Sequence, residues 1–244
     1  MNIELDFIGY TGKTGSIVYN YLKTKYQFKN LVNSSNYKQY LQNLQEINNN
    51  NSNFFKLIVD LSSKSFIWDF TTNIKKPIPI FYVTGVTGFD IQEFQTINDH
   101  FKKLGIYGFH FPNFSIGMNL INKVVQEISK FFDEVEIIEM HHKTKKDKPS
   151  GTSLMTSKII HNVLKKEIPI HSVRLPSLLA HQKVIFSNEF GEILELTHHN
   201  FNRTSFALGI EKVIQQIFND PYEIERKYSA GLHYNLNIFD FLYN

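Results

Sequence analysis

The first part of the chain alternates between short apolar runs and segments with helical spacing. Four apolar runs predict strands, at residues 3–8, 30–33, 56–61 and 78–84. Helical spacing predicts helices after Gly15, in residues 36–53 with a loop at their end, and over residues 92–104. Strands that alternate with helices are typical of a parallel sheet. The pattern therefore predicts an α/β Rossmann-type doubly wound domain over residues 1–114.

The pattern changes after residue 114. Helical spacing predicts helices at residues 118–132, 154–164 and 205–217. Mixed apolar and polar runs predict strands at residues 134–140, 184–187 and 193–198. The strands are more frequent here and alternate less strictly with helices. This part is therefore predicted as a second, α+β domain with a mixed open sheet.

Composition limits the classes of function. Hydrophobic residues make up 42% of the 244 residues, which is enough for a buried core. The net charge is only +3 and the basic residues are spread along the chain, so no nucleic-acid partner is predicted. The chain has no Cys, which excludes disulfides and thiolate chemistry.

The apolar runs also bear on location. No run approaches the about 20 apolar residues of a membrane-spanning helix. The N-terminal residues include Glu4 and Asp6 and do not resemble a secretory signal. We therefore expect a cytoplasmic protein with no membrane partner.

Glycines follow the first predicted strand. Gly9, Gly12 and Gly15 are spaced G-x-x-G-x-x-G between that strand and the first helix. Glycines in this context let the backbone approach a pyrophosphate, which then lies at the helix N-terminus. The motif favours a dinucleotide site, and a plain tight turn is the alternative.

The end of the second predicted strand bears on the choice of cofactor. An acidic residue there would bind a ribose 2′-hydroxyl and favour NAD. The chain has Asn33, Ser34 and Ser35 instead, and Lys13 adds a positive charge nearby. We expect NADPH to be used at least as well as NADH, although Lys13 is also typical of a solvated surface lysine.

Residues 139–152, EMHHKTKKDKPSGT, contain the most informative chemistry. His141 is able to exchange a proton near neutral pH, and the lysines make the segment cationic. Pro149 and Ser150 resemble a helix start, where Ser150 or Thr152 can act as a cap. The free amides there favour a carboxylate. The segment suits a small anionic substrate that needs proton transfer, and a basic surface loop is the alternative.

A metal site is a further alternative for the paired histidines. Adjacent residues on a strand point to opposite faces, so His141 and His142 are poorly placed to share one ion. His198 and His199 form a second pair with the same weakness. We predict no metal site.

The histidine–lysine segment resembles the signature of dihydrodipicolinate reductases, HH-x-x-K-x-D-x-PSGT. Other segments resemble further blocks of that family in the same order. They are IGYTGKTG at residues 8–15, VDLSS at 59–63, TGVTGF at 84–89, PNFSIGMNL at 112–120, HSVRLPSLLAHQKVIF at 171–186, THHNFNRTSFALG at 197–209 and GLHYNLNIFDF at 231–241. The resemblance covers nearly the whole chain except the region around residues 36–53.

The resemblance implies a reaction, a cofactor and an assembly. The family reduces the cyclic imine derived from 4-hydroxy-tetrahydrodipicolinate to tetrahydrodipicolinate with NADPH or NADH, on the way to lysine. It implies a substrate-binding and oligomerisation domain over residues 115–222 and a return of residues 223–244 to the first domain. It also implies a homotetramer and a small cyclic dicarboxylate as substrate.

The resemblance also assigns residues. It implies His141 as the acid/base residue and Lys145 as the proton donor. The implied substrate-binding residues are His142, Ser150, Gly151 and Thr152. The implied cofactor-binding residues are Gly9, Tyr10, Thr11, Gly12, Lys13, Thr14, Gly85, Val86, Thr87, Phe111, Pro112, Asn113 and Phe114.

Some positions depart from the family pattern. Val86 stands where Thr is usual, Lys148 where Ala is usual, and Thr14 where Met is frequent. The acidic residue after the second strand is absent. Three other classes stay open at this point: another two-domain nicotinamide-dependent reductase, such as an amino-acid dehydrogenase; a non-catalytic nucleotide-binding protein of the same fold; and a metallohydrolase that uses the histidine pairs.

Overall fold

The computed structural model describes residues 2–46 and 54–243, and the chain divides into two compact units. The first unit comprises Met1–Phe114 and Phe206–Asn244, and the second Ser115–Ser205. The elements up to residue 110 are β1 (Asn2–Ile8), α1 (Lys13–Leu22), β2 (Phe28–Val32), α2 (Tyr37–Glu46), β3 (Phe54–Asp60), α3 (Lys64–Asn73), β4 (Ile80–Thr84), α4 (Ile91–Leu104) and β5 (Tyr107–His110). The elements of the second unit are α5 (Ile116–Ile128), β6 (Glu134–His141), α6 (Gly151–Leu164), β7 (Ile170–Arg174), β8 (Ala180–Ser187) and β9 (Ile193–Asn200). The chain ends with α7 (Thr204–Asn219), α8 (Pro221–Lys227), β10 (Gly231–His233) and α9 (Ile238–Tyr243).

The first unit is built on a parallel sheet. Its six strands lie in the order β10-β5-β4-β3-β1-β2, and every neighbouring pair is parallel. The chain moves outward from β1 to β2 and then crosses back to β3, so the direction of winding reverses between β1 and β3. Because parallel crossovers are right-handed, this reversal places helices on both faces of the sheet. The central strands are accordingly largely buried, and all five residues of β4 are buried, although β3 also buries the charged residues Lys56 and Asp60.

The second unit is built on a mixed sheet. Its four strands lie in the order β7-β6-β8-β9; β6 is parallel to β7 and antiparallel to β8, and β8 is antiparallel to β9. Its core combines Val135 and Ile137 of β6, Val184 and Phe186 of β8, and Ile160 of α6. Alternate residues of β6 are buried, which is the pattern of a strand with one face toward the core. The predicted fold class, a Rossmann-type domain plus an α+β domain with a mixed sheet, is confirmed.

The chain returns to the first unit at residue 206, earlier than the expected residue 223. Helix α7 belongs there because its buried side packs on that unit. Gly209 lies so close to the carbonyl oxygen of Phe114 that a Cβ would stand 1.9 Å from it. Glu211 accepts hydrogen bonds from Tyr21 Oη and Lys25 Nζ of α1, each at 2.8 Å.

Several elements were not predicted, namely α3, β5, β7, α8, β10 and α9. Strand β5 has only four residues and β10 three, too few for a periodic signal. Helix α3, KSFIWDFTTN, is rich in aromatic and β-branched residues that favour strands. Helix α5 ends at Ile128, before the predicted residue 132. Part of the predicted helix and loop at 36–53 lies outside the described residues.

Candidate active site

The glycine turn after β1 brings the backbone into close contact. Gly9 has a φ of +82°, and a Cβ there would stand 2.7 Å from the carbonyl carbon of Leu61. A Cβ on Gly15 would stand 2.0 Å from the oxygen of Gly9. Gly12 is the N-cap of α1 and provides no side chain to cap the first amides of that helix. A helix N-terminus that is reached through glycines at Gly9 and Gly12 fits a pyrophosphate.

A cavity of about 310 Å³ opens beside this turn, at the carboxyl ends of the strands around the β1/β3 reversal. Open α/β sheets bind ligands at such reversals, and the volume lies within the range of small-molecule sites. Its wall includes Gly9, Gly12, Ser34, Tyr37, Ser62 and Asp69. The first unit therefore has the space and the backbone geometry to hold part of a dinucleotide.

The predicted cofactor residues at this end take distinct positions. Gly9, Thr11 and Gly12 line the cavity. Tyr10 Oη lies 3.4 Å from Asn33 Nδ2. Lys13 and Thr14 are the first two residues of α1, so Lys13 belongs to the helix rather than to the turn itself.

Polar side chains of the loop after β2 form hydrogen bonds within that loop. Asn33 Oδ1 accepts hydrogen bonds from the amide and hydroxyl of Ser35, at 2.9 and 2.6 Å. The expected absence of an acid at this loop holds, yet a carboxylate reaches the cavity from α3. Asp69 lines it and accepts a hydrogen bond from the Tyr37 hydroxyl. Sequence analysis missed Asp69 because its helix was not predicted.

A second group of predicted cofactor residues lies at the ends of β4 and β5. Gly85, Val86 and Thr87 follow β4, and Phe111–Phe114 follow β5. The two loops touch, because a Cβ on Gly85 would stand 2.7 Å from the Phe114 ring. Phe111 is fully buried and packs against Phe114 and Phe241, with ring centroids 5.3 and 5.5 Å apart. Phe111 therefore shapes this wall from behind, and Pro112 and Asn113 are the more exposed members of the segment.

In the second unit, His141 stands at the end of β6 on a buried carboxylate. Its Nδ1 lies 2.5 Å from Oε2 of Glu139, which is 0% exposed. The other carboxylate oxygen lies 2.7 Å from Nη2 of Arg174. Strand pairing explains the cluster, since Glu139 stands opposite Ser172 and His141 opposite Arg174 on β7. A carboxylate on Nδ1 assigns the proton to that nitrogen and leaves Nε2 as the exchanging atom.

The pKa values follow from these neighbours. Burial alone would raise the pKa of Glu139, but Arg174, Ser172 and His141 outweigh it and lower the pKa below its usual range. Burial lowers the pKa of His141, and Glu139 opposes that shift without cancelling it. The cluster therefore presents an oriented, mostly neutral imidazole at neutral pH on an ionised carboxylate.

The remaining polar residues of the segment lie just beyond. His142 Nδ1 lies 2.8 Å from Thr144 Oγ1, so the two adjacent histidines have different partners. Lys145 Nζ lies 2.8 Å from Oδ2 of Asp147. The Asp147 carboxylate also accepts a hydrogen bond from the amide of Gly151. The hydrogen bond from Lys145 lowers the pKa of Asp147 below its usual value. Lys145 and the start of α6 thus converge on one carboxylate within this chain.

Ser150 acts as the N-cap of α6. Its hydroxyl is buried, accepts from the amide of Ser153 at 3.3 Å and lies 3.0 Å from the Ser153 hydroxyl. Ser150 is therefore a buried cap of the helix start, and its substrate-binding role stays a prediction. Gly151 is exposed and Thr152 half-buried in the first turn.

The second histidine pair separates in the same way as the first. His199 Nδ1 lies 3.0 Å from Nδ1 of His181 on the neighbouring strand, whereas His198 Nε2 lies 3.3 Å from Ser115 Oγ. Within residues 2–46 and 54–243, no three His, Asp or Glu side chains are grouped so as to hold a metal ion. The same residues contain no helix that is both long and apolar enough to cross a membrane.

Sequence analysis missed Glu139 and Arg174 as members of the site. Glu139 precedes His141 by two residues on a strand, and residues i and i+2 share a face. That spacing could have identified the pair. Arg174 carries no such signal, because it reaches the cluster only through the pairing of β6 with β7.

A Rossmann-type parallel sheet with a glycine turn, joined to a mixed-sheet unit, defines a class of two-unit nucleotide-binding proteins. Residues 117–229 match the family model described as dihydrodipicolinate reductase, C-terminus. A solved structure titled dipicolinate bound dihydrodipicolinate reductase, from Paenisporosarcina sp. TG-14, has a TM-score of 0.71 and 26% identity, and covers 97% of this chain and 99% of that one. These findings agree with the resemblance described above: the chain is similar to dihydrodipicolinate reductases, by the family model over residues 117–229 and by fold over nearly its whole length.

Curated relatives support the same assignment over part of their length. A 4-hydroxy-tetrahydrodipicolinate reductase from Streptococcus thermophilus is 39% identical over 156 residues, 55% of this chain and 61% of that protein. One from Symbiobacterium thermophilum is 41% identical over 132 residues, 52% of each. The matched region thus spans about half to three fifths of these relatives. A meso-dapdh mutant from Clostridium tetani, with a TM-score of 0.51 and 13% identity, is similar in fold alone.

Proposed function

We propose that this protein reduces the cyclic imine derived from 4-hydroxy-tetrahydrodipicolinate to tetrahydrodipicolinate, in the biosynthesis of diaminopimelate and lysine. The similarity to dihydrodipicolinate reductases supports the reaction class. The single observation that carries the proposal is the buried Glu139–His141 pair, which lies with Lys145 on the segment that resembles the family signature. A silent nucleotide-binding protein would have no use for an oriented imidazole on a buried charge.

The reaction adds one hydride and one proton to the substrate. A reduced nicotinamide, when bound, supplies the hydride, and this chain's own residues supply the proton. Lys145 is the proposed donor. His141 exchanges a proton at Nε2, while Glu139 holds Nδ1 and stabilises the imidazolium whenever it forms. Burial keeps the pKa of His141 low, so the ring is able to release that proton again near neutral pH.

The substrate-binding residues are proposed from the start of α6 and the adjacent loop. The amides of Gly151 and Thr152 begin the helix and favour a carboxylate. The contacts of the Asp147 carboxylate with Lys145 and with the amide of Gly151 support a carboxylate-binding role for these groups. His142 lies beside this loop and contributes a further donor. A cyclic dicarboxylate suits these groups because each carboxylate requires cationic or amide partners.

The cofactor is proposed to bind the first unit through the glycine turn. The turn and its cavity fit a pyrophosphate and part of the nucleotide, as the impossible Cβ positions on Gly9 and Gly15 indicate. Both NADPH and NADH are proposed as cofactors. Ser34 and Lys13 tolerate a 2′-phosphate, whereas Asp69 introduces a carboxylate that sequence analysis did not anticipate. We therefore propose dual use rather than strict dependence on NADPH.

The test measures oxidation of the reduced nucleotide when the protein is given 4-hydroxy-tetrahydrodipicolinate. The preceding synthase generates this compound freshly in the same assay. We expect consumption of NADPH and NADH that requires both the synthase product and this protein. Omission of either should abolish it. Nucleotide binding without any consumption would instead favour the non-catalytic alternative, and consumption with a keto acid and ammonia would favour an amino-acid dehydrogenase.

A homotetramer and a cytoplasmic location are also proposed. Phe190, Ile193 and Phe201 are exposed on or beside β9, which is an edge strand of the mixed sheet. An exposed edge with large apolar side chains is typically covered by another chain, and a second copy is the proposed occupant. Sedimentation should show a species larger than the 28.6 kDa chain, and Ile193→Glu should shift it toward the monomer. A monomer at micromolar concentration would contradict this part of the proposal.

A further inference from the structure

A buried histidine behind the first unit's candidate site is not used by the mechanism above. His110 is the last residue of β5 and is 2% exposed. Its Nε2 lies 3.0 Å from the carbonyl oxygen of Val86, and its Nδ1 accepts a hydrogen bond from the amide of Asn235 at 3.2 Å. One ring therefore joins the loop after β4 to the chain segment after β10.

These two contacts fix the protonation state of the ring. Nδ1 accepts an N–H and so carries no proton, which leaves Nε2 as the N–H that donates to Val86. Burial lowers the pKa of His110 to about 4, although the Val86 carbonyl opposes that shift. The ring is consequently a neutral donor at neutral pH, and it suits a permanent hydrogen bond rather than proton transfer.

The surroundings hold the ring itself in place. The Phe94 ring of α4 packs on the His110 ring, with centroids 4.9 Å apart. The Tyr234 ring stacks on Phe94 with a centroid distance of 4.7 Å. The amide of Leu236 donates to the carbonyl oxygen of His110 at 3.0 Å. The imidazole is therefore fixed by packing and by backbone contacts before it reaches Val86.

The loop that His110 contacts is the one expected to meet the cofactor. Residues 85–88 are anchored at two carbonyls: His110 binds that of Val86, and Lys64 Nζ donates to that of Gly88 at 2.8 Å. Gly85 packs against the Phe114 ring, and Val86 N donates to Thr84 Oγ1 at 3.1 Å. Val86 is 6% exposed, so without His110 its carbonyl would lose this partner in a buried position, and the middle of the loop would be held less firmly than its ends.

We infer that His110 is a positioning residue for the cofactor: through the Val86 carbonyl it fixes the loop 85–88 against the segment 111–114, and so it sets the affinity for the nicotinamide nucleotide. The inference rests on the proposed function in one respect, namely that these loops contact a nucleotide. It assigns His110 no contact with the reacting atoms.

Direct nucleotide binding tests the inference, and two substitutions separate its parts. His110→Phe keeps an aromatic ring on Phe94 but has no donor for Val86. His110→Gln keeps a side-chain N–H that reaches toward the same carbonyl. The dissociation constants of NADH and NADPH are measured by nucleotide fluorescence, and thermal unfolding is followed without nucleotide.

We expect His110→Phe to weaken binding of both nucleotides by about 2- to 10-fold, the loss of one neutral hydrogen bond. His110→Gln should recover most of that loss. The KM for the imine substrate should stay unchanged in both. The control is His233→Gln, whose ring contacts the Ser229 carbonyl away from the loop and should leave binding unaffected.

The contrary outcomes are distinct. If folded His110→Phe binds both nucleotides as tightly as the parent, the inference is wrong. If both variants lose thermal stability equally and neither changes nucleotide affinity, His110 is merely structural and the inference is equally wrong. If the parent itself binds no nicotinamide nucleotide, the proposed function fails, and that result is recognised before any variant is compared.

Discussion

Each unit buries one carboxylate beside its candidate site, and the two are held in opposite ways. Asp60, at the end of β3, is 0% exposed and accepts hydrogen bonds from Tyr82 Oη at 2.6 Å and from the amide of Ser62 at 2.8 Å. Burial raises its pKa to about 6, and these neutral donors only partly oppose the shift. Glu139 is equally buried, but Arg174 and His141 lower its pKa.

The difference distinguishes two ways of building a site. Asp60 fixes the backbone around Ser62, which lines the cavity, and that task needs acceptor atoms rather than a permanent charge. Glu139 fixes and stabilises an imidazole, and that task needs the charge. The buried carboxylate of the first unit therefore supports backbone shape, whereas that of the second unit supports an ionisable side chain. Substitutions should affect the two regions in correspondingly different ways.

The largest effect is expected from His141→Gln. Positioned acid/base groups contribute about 10²- to 10⁴-fold, so kcat should fall by that range. The dissociation constant of NADPH should stay unchanged, because the glycine turn belongs to the other unit. Steady-state kinetics and nucleotide fluorescence check the two parts. Normal turnover would remove His141 from the mechanism, and an equal loss of nucleotide affinity would indicate a structural role.

A smaller loss of kcat is expected from Glu139→Gln. Hydrogen bonds to charged groups contribute about 1.5–3 kcal/mol, which corresponds to roughly 10- to 100-fold in rate. Glu139 raises the pKa of His141, so its neutralisation should lower that pKa further and move the acidic limb of the pH–rate profile to lower pH. Glu136→Gln is the matched control, since Glu136 lies on the same strand and pairs with His171 at 2.8 Å on the exposed surface. A profile identical to the parent's would show that Glu139 does not orient His141.

The fold was predictable to a different extent in the two regions. The glycine turn, the long apolar strands and the helix at 92–104 carry local signals, so the sheet of the first unit could be predicted from spacing alone. The short strands β5 and β7 could not, because their stability comes from pairing with neighbours distant in sequence. The candidate site follows the same division. His141, Lys145 and the start of α6 lie in one segment, whereas Arg174 and Asp69 reach their sites only in the folded chain.

The comparison of carboxylates also predicts a pH-dependent stability. The folded pKa of Asp60, about 6, exceeds its ordinary value of 3.8, so the folded state holds this proton more tightly than the unfolded state. As pH rises from below about 4 to above about 6, Asp60 should therefore lower the free energy of unfolding by about 3 kcal/mol. In thermal unfolding measured at a series of pH values, Asp60→Asn should make stability less dependent on pH between about 4 and about 6.

The control for this prediction is Asp99→Asn, at an exposed position of α4. It should leave the pH dependence of the parent intact. An Asp60→Asn protein whose stability falls with pH as the parent's does would contradict the raised pKa.

The smallest effect is expected from Lys13→Ala. A partly exposed lysine contributes about 1 kcal/mol to a phosphate, so the KM for NADPH should rise less than tenfold while that for NADH stays constant. Lys23→Ala, at the other end of α1, is the control. A parent with a clear preference for NADH would show instead that the Asp69 carboxylate dominates this end of the cavity.

The central claim is that the nucleotide supplies the hydride while the second unit supplies the proton. The most direct measurement is the isotopic composition of the product made from nucleotide deuterated at the transferable position, in ordinary water, with freshly generated substrate. The account predicts tetrahydrodipicolinate that contains one deuterium from the nucleotide and one proton from the solvent, and a much slower appearance of the same product with His141→Gln. Product without deuterium, or no reduced product from the parent protein, would contradict it.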